Sequence, residues 1–332
     1  QAKFNSSDWS GQLLSYNLNS DGSIGTTQWE ASAVMPAHAS RKIFTYNGTG
    51  GVAFTTSNFS LLSSAQQNSL NTNIGGVNDG KGVNRVAWLR GDKSQELSQG
   101  GSFRNRNAGI LGDIINSDLF FVRSLNFSYD GLVAGTPGQA TYYNFTQANE
   151  SRTPVIYTGA NDGMLHAFNA DTGVELFSYV PSSVYSKLSA LTSPNYTHRY
   201  IVDGNTYAGD AYIGATPSWK TILLGTTGGG GKGIFALDIT DPTNFTASNV
   251  MWEFTDADLG FVHGQAKIAL LNDGTWVAII SNGYNSTSDK AYLYVVNLQT
   301  GALIKKIATN NTTNNGLSTP ALVDTNGDKM ID

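Results

Sequence analysis

The stretch Val155–Val180, VIYTGANDGMLHAFNADTGVELFSYV, constrains the fold of this 332-residue chain more than any other, because its plan recurs along the sequence. Val155–Gly159 is a short β-branched and aromatic run, and Asn161-Asp162-Gly163 is a turn, since Asn and Gly tolerate positive φ. In Met164–Asn169, Leu165 and Ala167 lie on one face and Met164 and Phe168 on the other. A strand with no polar side packs between neighbouring sheets. Asp171-Thr172-Gly173 turns the chain again into Glu175–Val180, a strand rich in Phe, Tyr and Val that stops before Pro181. The unit is three antiparallel strands joined by tight turns.

Trp9–Glu30 carries a first copy: strand Gln12–Leu18, a turn at Asp21-Gly22 and an aromatic closing strand near Trp29. Later copies pair Trp219–Gly225 with Lys232–Asp238, closed by Val250–Phe254, and Trp276–Gly283 with Ala291–Asn297, closed by Ala302–Ile307 after the turn Gln299-Thr300-Gly301. A last unit begins at Leu317–Val323 and is cut at Asp332. Self-similarity at a spacing of tens of residues, with each copy three or four strands, marks an all-β, modified β-propeller that is incomplete at the C-terminus and exposes a strand edge. The chain reads as a single propeller domain over 1–332. Its regular blades fall in 151–332, and 31–150 is an insertion-rich portion with a short helix around Leu61–Leu70, a Gly/Asn-rich loop at Asn73–Asn84 and renewed strand character over Gly112–Val122.

Composition agrees with strands and turns: only 14% of residues are charged and 37 are glycine. A net charge of -5 without a basic cluster gives no footprint for nucleic acid. No apolar run reaches the roughly 18 residues that a membrane helix needs. The start at Gln1 points to a processed or excised piece. The absence of cysteine excludes a disulfide framework, thiolate metal sites and a cysteine nucleophile, while leaving the compartment open. Triplets such as Asn47-Gly48-Thr49 and Asn244-Phe245-Thr246 are expected by chance in so Asn- and Thr-rich a chain and read as surface loops.

The sharpest chemical signal is Asp324-Thr325-Asn326-Gly327-Asp328-Lys329-Met330-Ile331-Asp332. Oxygen side chains at loop positions 1, 3, 5 and 9, with a carbonyl at position 7, are how a short loop wraps Ca²⁺. The expected ligands are Asp324, Asn326, Asp328 and Asp332, with the Met330 carbonyl; the alternative is a polar turn after a strand. Lys329 stands where such loops carry Gly. Arg90-Gly91-Asp92 is a tripeptide that some receptors read in exposed loops, although Trp88 and Leu89 beside it suggest packing. Gly228–Gly231 with Lys232 invites a phosphate-loop reading, but no Ser or Thr follows and a strand comes next, so a flexible hairpin is expected. His166 and His198 lack a nucleophile setting, and His166 should hydrogen-bond within its sheet. Asp256 and Asp258, like Asp238 and Asp241, lie on turns. No catalytic constellation emerges.

Read together, these segments resemble the C-terminal domain of the PilC/PilY family of type IV pilus tip proteins. The likeness runs through Trp88–Asp92, Phe103–Arg106, Leu111–Ile114, GANDGMLHAF at Gly159–Phe168, Val202–Gly204, GGGKGIFAL at Gly229–Leu237, Trp252-Glu253, Asn282–Ser286 and the closing Asp-rich loop. The resemblance implies an exported, non-enzymatic protein of the bacterial cell surface or pilus tip, acting in pilus biogenesis and adhesion. Its implied partners are the pilus machinery, through minor pilins or the tip, and a host surface receptor. Calcium at Asp324, Asn326, Asp328 and Asp332 would modulate pilus extension and retraction. GANDGMLHAFNADTGVELFSY is also similar to the repeat of quinoprotein dehydrogenases, whose propellers hold pyrroloquinoline quinone with calcium; the vicinal cysteine pair that many of them place over the ring is missing here. A purely structural, protein-binding propeller is the third reading.

Overall fold

A computed structural model describes residues 1–310 and 312–332. The first unit is a separate antiparallel sheet of β1 (Ala2–Asn5), β2 (Ser10–Leu18) and β3 (Ile24–Glu30). The next segment supplies β4 (Ile43–Tyr46), β5 (Gly51–Ala53), helices α1 (Ser64–Asn71) and α2 (Gly82–Arg90), strand β6 (Phe120–Val122) and helix α3 (Gln139–Ala148). The reference stretch then forms β7 (Val155–Ala160), β8 (Met164–Asn169) and β9 (Glu175–Val180), followed by α4 (Tyr185–Leu191). Two four-stranded antiparallel blades complete the described chain. They are β10 (Thr206–Ile213), β11 (Ser218–Thr226), β12 (Ile234–Asp238) and β13 (Val250–Phe254), then β14 (Lys267–Leu270), β15 (Trp276–Ser281), β16 (Tyr292–Asn297) and β17 (Leu303–Ala308).

The repeat period is therefore four strands, and the innermost one was hard to read because β10 and β14 lack a turn-strand-turn signature. The segment between the first two copies is no appendage. It pairs β6 with β7 antiparallel and β4 with β9 in parallel, giving a six-stranded sheet in the order β5-β4-β9-β8-β7-β6. The expected helix forms three residues later than Leu61, held by a capping box between Ser63 and Gln66. Strand character over Gly112–Val122 is confined to Phe120–Val122, because Gly112 and Asp113 instead bond to the Asn161–Asp162 turn. Leu317–Val323 forms no named strand; it reaches the last blade through an isolated bridge from Leu317 to Gly283.

Central strands are buried on both faces, as the absence of alternation in Met164–Asn169 requires, and β8 shows the pattern directly. One large apolar cluster joins the six-stranded sheet to α1, α2, α4 and β12; a second fills the space between the two later blades. The units are joined by a recurring contact. Trp29 of β3 donates its indole N–H to the Ala170 carbonyl at 2.9 Å, and a Cβ on Gly173 would lie 2.6 Å from that ring. Trp252 of β13 repeats this on the last blade, donating to Leu298 at 2.8 Å, with a Cβ on Gly301 2.7 Å from its ring. At the junction between these, Phe177 stacks on Phe245 at 3.7 Å. Both glycines also sit at positive φ, 74° and 73°, so each Thr-Gly turn serves backbone and packing at once.

A second ladder ties the entries of the inner strands. The Asn116 amide N–H and side chain donate to Asp203 at 3.0 and 2.6 Å, and the Asp118 N–H donates to Asn205 at 2.9 Å. Asn205 donates to the His263 carbonyl at 3.0 Å, and the Gln265 N–H donates to Thr319 at 3.0 Å. The Leu317–Thr319 segment thus stands where the next inner strand would enter. At the outer rim β17 is exposed along nearly its whole length, including Leu303, Ile304 and Ile307. No helix among the described residues is long and apolar enough to cross a membrane.

Candidate metal centre

Asp324–Asp332 is pinned to the last blade at its far end, where the Ile331 N–H donates to the Leu270 carbonyl at 2.8 Å. Ile331 and Leu322 pack on the blade face formed by Ala269, Val277 and Ile279. The loop then curls on its own backbone. Asp324 accepts from the N–H groups of Gly327 at 2.7 Å, Asp328 at 3.2 Å and Lys329 at 2.9 Å. These backbone donors, Lys329 first, hold its carboxyl below the ordinary range. Asn326 accepts from the Asp328 N–H at 3.0 Å, and Asp328 from the Met330 N–H at 2.9 Å.

Lys329 has a φ of 71°, so the left-handed turn that Gly normally supplies at this loop position is made here by a lysine. The set is all oxygen and carries opposite charge to a hard cation, and Asp324, Asn326 and Asp328 share one curl; on these grounds they fit Ca²⁺. Asp332 does not join them. Its carboxylate accepts from the Thr325 N–H at 2.8 Å and from the Thr325 hydroxyl, and Asn272 lies 3.4 Å from its other oxygen. Among the described residues no three carboxylates or imidazoles converge as a metal cluster. A bound ion would have to draw Asp332 away from Thr325.

Arg90-Gly91-Asp92 is not an exposed loop. Arg90 ends α2 and is only 7% exposed, donating to the carbonyls of Phe54, His38 and Arg41 at 2.8–2.9 Å. Gly91 closes the helix at φ 115°, and Asp92 accepts from the Ser94 N–H at 2.8 Å. A receptor reading this tripeptide would have no access to the guanidinium. Trp88 and Leu89 are buried beside it, as their apolar character suggests.

His166 does bond within its sheet, but as part of a buried charge group. Its Nδ1 is 2.8 Å from Glu175 and its Nε2 3.1 Å from Asp162. Glu175 also receives Nε of Arg41 at 2.6 Å and the Ser178 hydroxyl. Burial alone would lower the imidazole pKa, but Asp162 and Glu175 outweigh it and push it up to about 9. Burial would raise the Glu175 pKa; Arg41 and His166 outweigh it and hold the carboxyl far below its usual range. No feature of the sequence pointed to Arg41, although Glu175 was visible as a charge opening an otherwise apolar strand. His198 donates its Nε2 hydrogen to the Asp113 carboxylate at 2.7 Å under the ring of Trp9, and the Ser178 hydroxyl, 3.2 Å from His166 Nδ1, is fully buried and donates to Glu175. Asp256 and Asp258 are bridged by Lys306 at 2.7 and 2.5 Å. The Gly228–Gly231 run is packed rather than flexible: a Cβ on Gly230 would lie 1.5 Å from the Ile201 carbonyl oxygen.

Comparison with known proteins adds four matches. The family model described as the PilY1 beta-propeller domain matches residues 111–332. The type IV pilus biogenesis factor PilY1 of Pseudomonas aeruginosa strain PAK is 39% identical over 98% of this chain and 28% of its own length. A PilY1 homolog of Xylella fastidiosa is 40% identical over 96% of this chain and 24% of its own. The chain thus spans about a quarter of the length of these curated relatives. The crystal structure of the Pseudomonas aeruginosa PilY1 C-terminal domain superposes with a TM-score of 0.52 at 37% identity, covering 64% of this chain and 42% of that one.

Proposed function

This chain belongs to the PilY1 β-propeller family, and from that premise we propose that it acts in type IV pilus biogenesis as the propeller portion of a pilus-associated surface protein. The observation that carries this is identity of 39% spread over 98% of the chain with a protein named for that role. The part the propeller plays is non-enzymatic, a reading supported by relatives named as pilus biogenesis factors and by the propeller family model. It is exported, stands at the cell surface or pilus tip, meets the pilus machinery there, and contributes to adhesion through a host receptor.

Asp324, Asn326 and Asp328, with the Met330 carbonyl and with Asp332 once freed from Thr325, would hold Ca²⁺, which would supply a charge that stiffens the end of the last blade and so modulates pilus extension and retraction. The curl around Asp324 and the left-handed backbone at Lys329 support this assignment. Deleting the gene in its source bacterium and restoring it with the wild-type or Asp324→Ala form tests both levels. Loss of surface pili and twitching on deletion is expected, and normal piliation would overturn the biogenesis reading. Restoration of wild-type twitching by Asp324→Ala would overturn the calcium role alone.

A further inference from the structure

The segment carrying β4 and α1 meets the first two blades around a groove that nothing above uses. Cavities of about 480 and 430 Å³ share Tyr46, Gly48, Ser182 and Ser183, and so form one continuous cleft. One wall is the turn between β4 and β5 with the start of α1; the other is the Ser182–Ser186 approach to α4. Lys232-Gly233 and the end of β13 close it. Gly231 and Gly233 permit this closure, since a Cβ on either would lie 2.8 Å from Ser183. Sites of this size at the meeting of rigid units are where small ligands bind.

The lining excludes most ligand classes. Its two charged groups are both committed. Lys232 donates to the Asn285 carbonyl at 2.6 Å, and the Glu253 carboxylate accepts from the Tyr179 hydroxyl at 2.5 Å, the Ser182 N–H at 2.8 Å and the Ser182 hydroxyl. With one group of each sign, the lining carries no net charge to select an ionic ligand of either kind. The nearest sheet edge, β5, is three residues long and packs closely against Ala247, which leaves little edge for an extended peptide to add to as a strand. What remains is hydroxyl: the phenol of Tyr46 and the side chains of Ser69 and Ser186 have no protein hydrogen-bond partner among the described residues, and each can both donate and accept. Tyr with Ser, Gly and Asn is also the composition of adaptable hydrogen-bonding surfaces, where the ring supplies apolar area at low entropy cost.

We propose that this groove binds a short neutral oligosaccharide, with a sugar face against the Tyr46 ring and sugar hydroxyls paired with the serines. The inference stands on the lining alone and is independent of the pilus assignment. Saturation-transfer NMR on the full chain with lactose, N-acetyllactosamine, cellotriose and mannotriose tests it. Transfer to at least one of the four is expected, weakened about tenfold in Tyr46→Ala, the scale of one lost aromatic contact. Ser186→Trp, at an exposed helix position, is expected to block the cleft while leaving Tm unchanged. No transfer to any of the four sugars, or transfer undiminished in Ser186→Trp, would overturn the proposal.

Discussion

Arg41 and Glu175, 134 positions apart, meet at 2.6 Å with each side chain only 1% exposed. The pair fastens the segment before β4 to the opening of β9. Removing one partner of a buried pair costs up to about 3–5 kcal/mol, and because His166 and the Ser178 hydroxyl still face Glu175 when Arg41 is gone, the lower figure applies. Arg41→Met is therefore expected to lower unfolding stability by that amount in urea titrations. A loss under about 1 kcal/mol would show that the pair is relieved by solvent.

His166 adds a pH dependence of defined sign. Its folded pKa of about 9 lies above its ordinary 6.5, so its contribution is full below pH 6.5 and disappears as pH rises through about 9. Glu175 has the opposite displacement, and its contribution is lost on acidification. Stability measured by denaturant midpoint should decline across pH 6.5–9 by a few kcal/mol at roughly 1.36 kcal/mol per unit. His166→Gln should flatten that decline, and an unchanged slope would remove the imidazole from the account.

Arg90→Ala is expected to behave as a core mutation. The guanidinium satisfies carbonyls of Phe54, His38 and Arg41, and leaving buried acceptors unpaired costs about 1–3 kcal/mol each. Thermal unfolding should fall by many degrees, and any loss of cell adhesion should track the folded fraction. Lost adhesion at unchanged Tm would revive the receptor reading.

At the Asp-rich loop, Lys329→Gly should strengthen Ca²⁺ binding several-fold, because it relieves a left-handed residue at about 1 kcal/mol and removes a positive charge beside the ion. Asp324→Ala should abolish binding. Calorimetric titration of both variants checks the pair, and equal affinities across wild type and variants would reject the loop as a calcium ligand.

Gly301→Ala should destabilise the last blade by about 2 kcal/mol, since the added methyl meets Trp252 at 2.7 Å from a backbone at φ 73°. Gly274→Ala shares the positive φ but has open space around it, so it isolates the backbone cost. A difference between the two variants measures the indole contact.

The blade strands were legible because burial on both faces leaves an unbroken apolar run bounded by turn residues, as at Met164–Asn169 and Trp276–Ser281. The inner strands were not, since Thr206–Ile213 carries a buried Asp210 and a glycine that dilute its strand signature. Helix α2 was hidden by its weak apolar face, which two core residues, Arg85 and Arg90, interrupt with charge. The Asp324 curl follows from residue spacing, whereas the attachment of Asp332 to Thr325 depends on side-chain choices that spacing does not fix. Nor could a sequence pair Arg41 with Glu175: such long-range partners share no period.

The indole contacts give the molecule a direction. Trp29 enters a socket on the sheet after it, and Trp252 does the same two junctions later, so in both contacts the socket and its plug belong to different units. Excising a blade at its own boundaries would leave an indole in water and a hollow in its neighbour. The smallest piece of this chain able to stand alone is therefore a consecutive pair of units, and rearrangements that reverse their order would not reassemble.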